Sequence, residues 1–323
     1  MKSLLDPAIL FFVFGILAGL IKSNLEIPPQ IARFLSLYLL MALGLKGGFA
    51  LAESGLTGEV AVSLACAITL AFAVPAVGYL LLRRFLNGYD AAAIAATYGS
   101  VSAVTFITAT QYLDGGHMAA AMALMESPAI VMAVFLANRV RQQSAEALPA
   151  SVPPSNLVKS APMGHILRES LTDGTQLLLL GAMLIGILTG AAGQASMKPF
   201  TGDLFKGMLA FFLLDMGLQA ARNMGELKGK SPWLLAYAIA GPLVHAAVAL
   251  AIGIIFGMSA GNTALLMVLA ASASYIAVPA VIRHAIPEAS PSLYFGMSLG
   301  LTFPFNILLG IPLYVYAAQR WLV

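Results

Sequence analysis

Long apolar runs, each roughly 15 to 25 residues, follow one another along the whole sequence. A helix needs about 20 apolar residues to cross the ~30 Å hydrocarbon core of a bilayer. Charged residues make up only 10% of the chain, whereas about a quarter of a soluble domain is charged. A water-exposed surface cannot be built from this composition. The sequence therefore predicts a multi-pass, all-α membrane protein that contacts lipid.

The first apolar run, residues 7–21, has the length of a signal peptide as well as that of a helix. It is followed by Lys22-Ser23-Asn24 rather than by a small-residue cleavage site, so we interpret it as the first membrane helix. The single cysteine, Cys66, lies in an apolar run, which excludes a disulfide framework and a cysteine-based metal cluster. The net charge of +3 is interpreted as a signal of orientation in the membrane, and no nucleic-acid partner is expected.

Apolar runs bounded by glycine, proline and charges predict ten transmembrane helices in two halves. The predicted helices are 7–21, 31–45, 60–82, 91–112 and 119–138 in the first half, and 176–193, 204–221, 233–256, 263–284 and 293–318 in the second. Between them, residues 139–173 are polar and contain Pro149, Pro153, Pro154 and Pro162, which favours a flexible cytoplasmic linker. The predicted division is residues 1–138, the linker 139–173 and residues 174–323.

Four landmarks recur in the same order in the two halves, which indicates an internal repeat. The pairs are Leu40-Met41-Ala42-Leu43-Gly44-Leu45-Lys46 with Leu214-Asp215-Met216-Gly217-Leu218-Gln219, Asp90 with Asn262, Ser100-Val101-Ser102 with Ser272-Ala273-Ser274, and Pro128 with Pro304. The second and third pairs share a shift of 172 residues. Because each half crosses the membrane five times, the second half is expected to be inverted relative to the first, as in many secondary transporters.

The basic residues divide unequally between the two predicted faces of the membrane. Five of the 17 lie on one face, namely Lys2, Lys46, Lys198, Lys206 and Arg320, and the remaining twelve lie on the other. The positive-inside rule places the richer face in the cytoplasm. We therefore expect both termini on the outer side of a bacterial inner membrane.

Predicted helices 4 and 9 are the poorest membrane helices, since hydroxyl groups and glycine interrupt both near mid-depth, in segments 97–105 and 272–279. Pro279 lies in the second segment, and a proline inside a helix frees a backbone carbonyl where no water is present. Matching breaks in two halves are typical of a transport site, because half-helix N-termini favour anions and freed carbonyls coordinate cations. The substrate-binding candidates are Gly99, Ser100, Ser102, Ala103, Ser272, Ala273, Ser274 and Tyr275. The alternative is that these hydroxyls only bond to their own helices and help them to pack.

Two carboxyl groups fall inside predicted membrane helices, where a charge is costly unless it faces protein, water or an ion. Asp215 and Glu126 are candidate sodium ligands, because sodium suits carboxylate, hydroxyl and carbonyl oxygens. Thr105 and Asn306 complete the predicted sodium set. Either acid could instead be a neutral, hydrogen-bonded structural group. His245 is interpreted first as a packing residue, with a role near the substrate as the alternative.

The sequence resembles the sodium-dependent bicarbonate transporter family, best known from cyanobacteria, over nearly its whole length outside the central linker. The segments that carry the resemblance are Gly44-Leu45-Lys46-Gly47-Gly48, Ser100, Ser102, Thr105, Met125-Glu126-Ser127-Pro128-Ala129, His245, Ala270-Ala271-Ser272-Ala273-Ser274, Ile286-Pro287 and Pro291-Ser292-Leu293-Tyr294. The resemblance implies a core domain and a gate domain, sodium-coupled uptake of bicarbonate, and a homotrimer. It also implies that a PII-like protein could regulate the cytoplasmic face and that helices 4 and 9 hold the anion between them.

The chain differs from the cyanobacterial pattern at several positions. Tyr275 stands where those proteins carry an acidic residue, Ala273 replaces a serine, and Glu126 replaces an aspartate. The central linker is also shorter. Three alternatives stay open: another small organic or inorganic anion as the substrate, an intramembrane hydrolase that pairs a serine with His245, and a membrane receptor that does not transport. The hydrolase is disfavoured because no HExxH motif occurs and no serine lies next to a histidine in the sequence. No catalytic residue, no cofactor and no metal beyond sodium as coupling ion is expected.

Overall fold

The computed structural model describes residues 5–113, 117–146, 174–225, 227 and 229–322. Every regular element in these ranges is helical, which confirms the all-α prediction for them. The helices are α1 (Pro7–Leu20), α2 (Pro29–Ser54), α3 (Gly58–Leu82), α4 (Gly88–Gly99), α5 (Ala103–Ala109), α6 (Met118–Glu146), α7 (Gly174–Lys198), α8 (Leu204–Gly225), α9 (Pro232–Phe256), α10 (Ala260–Ala271), α11 (Ala277–Ala285) and α12 (Pro291–Trp321). A π-helical turn, Pro199–Asp203, joins α7 to α8, and two more lie within α12.

Seven helical stretches in the described part of the chain are long and apolar enough to cross a membrane. One of them, Gly174–Gly225, has 52 residues and comprises both α7 and α8. Helices α1 and α10 are apolar but have only 14 and 12 residues. The fold is therefore that of a multi-pass membrane protein, and the count of ten crossings stays a prediction.

Polar side chains mark several helix starts, where the first backbone N–H groups have no partner within the helix. The Asp6 carboxylate accepts from the N–H of Ala8 at 2.9 Å, and the Thr57 hydroxyl accepts from the N–H of Val60 at 3.3 Å. Helix α9 ends at Gly257, whose φ of 61° is the left-handed conformation that glycine tolerates. Local sequence signals therefore set these boundaries.

Two helix pairs pack at backbone contact: α2 lies against α7, and α1 lies against α8. A Cβ added at Gly48 would lie 2.1 Å from the carbonyl oxygen of Met183 on α7. A Cβ added at Gly217 would lie 2.2 Å from the carbonyl oxygen of Phe12 on α1. Because lipid is as apolar as the side chains, membrane helices gain most from such close packing of small residues. Each half thus places its first helix against the second helix of the other half.

The two predicted breaks are confirmed. Helix α4 ends at Gly99 and α5 begins at Ala103, while α10 ends at Ala271 and α11 begins at Ala277. Both α4 and α10 have 12 residues, and they begin and end at the same shift of 172 that relates the two Ser-x-Ser segments. The breaks therefore repeat in position as well as in composition.

The role expected for Pro279 is wrong in its detail. Pro279 is the third residue of α11, in the first turn, where a missing N–H leaves no helical hydrogen bond unmade. The break comes earlier, at residues 272–276, where the backbone is extended at Ser272. The proline therefore does not free the carbonyls at this site.

Two helices extend at least eight residues past their predicted ends. Helix α2 continues to Ser54, because Gly47 is buried and Gly48 packs against α7, so these glycines do not end the helix. Helix α6 continues to Glu146, eight residues into the segment expected to be linker, through residues such as Arg, Gln, Ala and Glu that favour helix. Residues 147–173 of the predicted linker lie outside the described residues.

Candidate functional site

The two breaks cross each other inside the protein and are joined by hydrogen bonds. The N–H of Ser102 donates to the hydroxyl of Ser272 at 3.1 Å, and the N–H of Ser274 donates to the carbonyl of Thr97 at 2.9 Å. All four residues are buried. Buried backbone groups outside a helix need partners, and here each broken helix supplies partners for the other.

The hydroxyl of Ser102 is the centre of a small polar cluster at this crossing. It accepts from the N–H of Thr105 at 3.2 Å and from the hydroxyl of Thr105 at 2.9 Å. It lies 3.4 Å from the hydroxyl of Tyr275, which it can reach as a donor. On the other break, the hydroxyl of Ser274 accepts from the N–H of Val278 at 3.3 Å. Serines of both breaks thus cap the half-helices that follow them.

A cavity of about 40 Å³ opens beside the crossing, and we call it the site cavity. The predicted residues that line it are Ser102, Ala103, Glu126, Ser274 and Tyr275. The rest of its lining is mostly apolar and comes largely from α2, α7 and α8. A few convergent polar groups in an otherwise apolar pocket are typical of sites for small ligands.

A second, larger cavity continues from the site cavity. Its volume is about 910 Å³, and it shares five lining residues with the site cavity, namely Ser36, Thr175, Phe212, Tyr275 and Ile276. Arg33 and Arg283 also line it, so we call it the arginine vestibule. Both arginines belong to the face that the basic-residue count places in the cytoplasm.

The other predicted anion ligands support the breaks and do not line the site cavity. A Cβ on Gly99 would lie 2.5 Å from the Cγ atom of Pro75, so Gly99 allows α4 to approach α3. The hydroxyl of Ser272 donates to the carbonyl of Leu269 at 2.9 Å besides accepting from Ser102. Ala273 is buried, and the buried hydroxyl of Ser100 has no hydrogen-bond partner among the described residues.

A family model described as the Na+-dependent bicarbonate transporter superfamily matches residues 7–319. The chain belongs to this superfamily. Membership implies a transporter rather than an enzyme, and sodium and bicarbonate are the ions that the superfamily's description names. A comparison with curated proteins finds no match.

In this member of the superfamily, the four predicted sodium ligands do not share one cavity. Glu126 lines the site cavity, and Thr105 reaches it through its hydrogen bonds to Ser102. Asp215 is buried in α8, where its carboxylate accepts from the Gln219 amide at 2.7 Å. Of the four predicted sodium ligands, Glu126 is the one that lines the site cavity.

Asn306 links α12 to α10 through hydrogen bonds on both sides of its amide. Its nitrogen donates to the carbonyl of Ala271 at 2.8 Å, and its oxygen accepts from the hydroxyl of Tyr314 at 2.9 Å. Ala271 is the last residue of α10, whose final carbonyls lack helical partners. The contacts give Asn306 a structural role at the break of this transporter.

Ser36 and Thr175 line the site cavity but were not among the predicted ligands. Each is a single hydroxyl in or beside an apolar run, and such residues are common in membrane helices for packing alone. No repeated pattern or neighbouring break singles them out in the sequence. His245 hydrogen-bonds to the backbone of Ala270, which agrees with its interpretation as a packing residue.

Proposed function

We propose that this chain is a symporter that couples the influx of sodium to the uptake of bicarbonate. The observation that carries the proposal is the site cavity, which lies where two broken helices cross in a chain of this superfamily. Broken helices at corresponding positions are the usual place for substrate and coupling-ion sites in secondary transporters.

The anion is proposed to bind at the crossing. The hydroxyls of Ser102, Ser274 and Tyr275 line the cavity and can donate to an oxyanion. The half-helices α5 and α11 begin there, and the positive end of a helix dipole favours negative charge. Another small oxyanion would satisfy the same donors, so it is kept as the competing substrate.

The membrane potential explains the need for a coupling cation. Moving one negative charge into a cell with a negative interior costs about 2.3 kcal/mol per 100 mV. One sodium ion carried with the anion cancels this cost, and a second would add driving force from the potential and from the sodium gradient. Bicarbonate uptake without a coupled cation would run against the potential.

The function is tested with the purified protein in proteoliposomes. Labelled bicarbonate is expected to accumulate when an inward sodium gradient is imposed, and not when potassium replaces sodium. Addition of other small oxyanions as competitors separates bicarbonate from the alternative substrate. Equal uptake with and without sodium would contradict symport, and uptake of a competing anion without any bicarbonate uptake would favour the alternative.

Glu126 is proposed to bind the sodium ion, because it is a carboxylate that lines the site cavity. Glu126→Gln removes the charge at nearly constant size. The sodium concentration for half-maximal uptake is expected to rise at least about tenfold, which corresponds to about 1.4 kcal/mol of lost binding. Sodium titrations of uptake measure this.

Glu26→Gln is the matched control, because Glu26 lies between α1 and α2, outside both helices and the site cavity. It is expected to leave the sodium titration unchanged. If Glu126→Gln also leaves it unchanged, the sodium ion binds elsewhere, and Asp215 becomes the first alternative.

We also propose that the two halves are inverted relative to each other. It is supported by the equal lengths of α4 and α10 and by the reciprocal packing of α1 on α8 and α2 on α7.

A homotrimer in a bacterial inner membrane and a PII-like regulator are proposals from the family resemblance. The mass of the purified assembly measures the first, and co-purification with a PII-like protein measures the second.

A further inference from the structure

A third cavity lies at the other end of α2 and α7 and is lined by lysines. Its volume is about 640 Å³. Its polar lining residues are Lys46, Glu53, Thr110, Gln194, Lys198 and Thr201. We call it the lysine vestibule. It shares no lining residue with the site cavity or the arginine vestibule.

The three cavities follow one another in the same order along two helices. On α2, residues 33–37 line the arginine vestibule, residues 36–40 the site cavity and residues 43–53 the lysine vestibule. On α7, the corresponding lining residues are 174–175, then 175–179, then 191–198. The cavities therefore mark a path along the packed helix pair, with the site cavity in the middle.

The separation between the site cavity and the lysine vestibule is short beside α2 and α5. It runs from Leu40 to Leu43 on α2 and from Ile107 to Thr110 at the end of α5, whereas on α7 it runs from Leu179 to Ala191. Three residues of helix correspond to about 4.5 Å along the axis. Leu43 and Ile107 are buried, so beside α2 and α5 an apolar layer about one turn thick separates the two cavities.

Lys46 is a partly buried cation in the lysine vestibule. Its Nζ atom lies 4.1 Å from the ring centroid of Phe205, and the like charge of Lys206 is nearby. The ion pair found among the described residues is Arg141 with Glu288, so no carboxylate of these residues lies within 4.0 Å of Lys46. A partly buried ammonium that has only a ring face as its partner is stabilised by an anion that comes close to it.

We propose that Lys46 recruits the transported anion into the lysine vestibule, on the side of the site cavity opposite to the arginine vestibule. The inference rests on the proposed function and adds the residue that selects the charge of the cargo before it reaches the hydroxyls of the site. A cleft with an excess of one sign of charge raises the local concentration of the opposite ion, and the lysine vestibule has two lysines, Lys46 and Lys198, against the carboxylate of Glu53. Lys46 lies six residues beyond Leu40, about 9 Å along α2 from the site cavity.

The test is bicarbonate uptake by Lys46→Gln in proteoliposomes under a sodium gradient. The KM for bicarbonate is expected to rise about three- to tenfold, with the maximal rate within about twofold of the wild type, because a recruiting charge acts on capture of the anion. Lys46→Arg keeps the charge and is expected to keep the KM. Arg320→Gln removes one charge from the exposed end of α12, outside the vestibule, and serves as the matched control.

A second measurement covers the case in which Lys46→Gln does not fold. Raising the ionic strength with an impermeant salt at fixed sodium is expected to raise the KM of the wild type for bicarbonate. The variant Lys198→Gln is also expected to have a higher KM for bicarbonate than the wild type. Lys46→Cys in a Cys66→Ser background is expected to be blocked by a membrane-impermeant thiol reagent added outside.

The outcomes separate the two proposals. If the wild type shows no sodium-driven uptake, the proposed function fails. If the wild type transports but Lys46→Gln has an unchanged KM, the recruitment proposal is overturned and the function stands. When Lys46→Gln cannot be measured, the recruitment proposal is overturned by two results together: a wild-type KM that does not change with ionic strength, and an unchanged KM in Lys198→Gln. Labelling of the introduced cysteine only from inside would overturn the assigned direction.

Discussion

Sodium-driven bicarbonate uptake is expected to fall at least about tenfold in Ser102→Ala. The Ser102 hydroxyl faces the site cavity and holds both polar groups of Thr105, so its removal takes a donor from the anion and leaves a buried N–H unpaired. Loss of a buried hydrogen bond costs about 1–3 kcal/mol, and about 1.4 kcal/mol is tenfold in an equilibrium constant. Ser274→Ala is expected to act in the same direction. Initial rates in proteoliposomes measure both.

Thr108→Ala is the matched control for these variants. Thr108 is buried in the same half-helix as Thr105, but its hydroxyl donates only to the carbonyl of Val104, at 2.8 Å, and it lies outside the site cavity. It is expected to retain most of the uptake. Thermal unfolding of all three proteins separates a transport defect from a folding defect. Normal transport by both Ser102→Ala and Ser274→Ala would show that the anion binds elsewhere.

Gly48→Ala is expected to lower the melting temperature by about 2–12 °C. The new Cβ would lie 2.1 Å from the Met183 carbonyl oxygen and 2.8 Å from the Cα atom of Gly186. Both contacts are to backbone, so α2 and α7 must separate to make room. Overpacking of this kind costs about 1–3 kcal/mol, and one kcal/mol moves the melting temperature by about 2–4 °C in a medium-sized protein. Thermal unfolding in detergent measures the shift.

Gly181→Ala provides the comparison, since a Cβ at this position of α7 would meet no atom within 4 Å. Alanine is the better helix former by about 1 kcal/mol, so this variant is expected to be as stable as the wild type or more stable. Equal melting temperatures for Gly48→Ala and Gly181→Ala would mean that the α2–α7 contact is looser than the structure indicates.

The parts of the fold that were predictable from sequence are those with a local cause. The repeated Ser-x-Ser pattern placed both breaks, because hydroxyls and glycine weaken a membrane helix wherever they occur. The capping residues Asn87 and Ser259, one shift apart, start α4 and α10. The prediction from Pro279 was less successful, because a proline tolerated in a first turn looks the same in sequence as one that breaks a helix.

The parts of the candidate site that were not predictable depend on contacts between distant segments. Ser102 and Ser274 line the site cavity, whereas Ser272 and Ser100 do not, and the difference arises from how the two breaks cross. Likewise, helix α2 does not end at the charged residue Lys46 but continues to Ser54. Its glycines Gly44 and Gly48 pack against α7, a segment about 135 residues later in the sequence. A lone hydroxyl such as Ser36 carries no signal until the cavity is seen.

The backbone contact between α2 and α7 also limits how the transporter can change shape. Since Gly48 and Gly186 leave no gap between the two backbones, neither helix can tilt or slide along the other without collision. These two helices line all three cavities, so the wall that they form is expected to move as one rigid unit. Alternation between the two sides of the membrane is then expected to move α2 and α7 together.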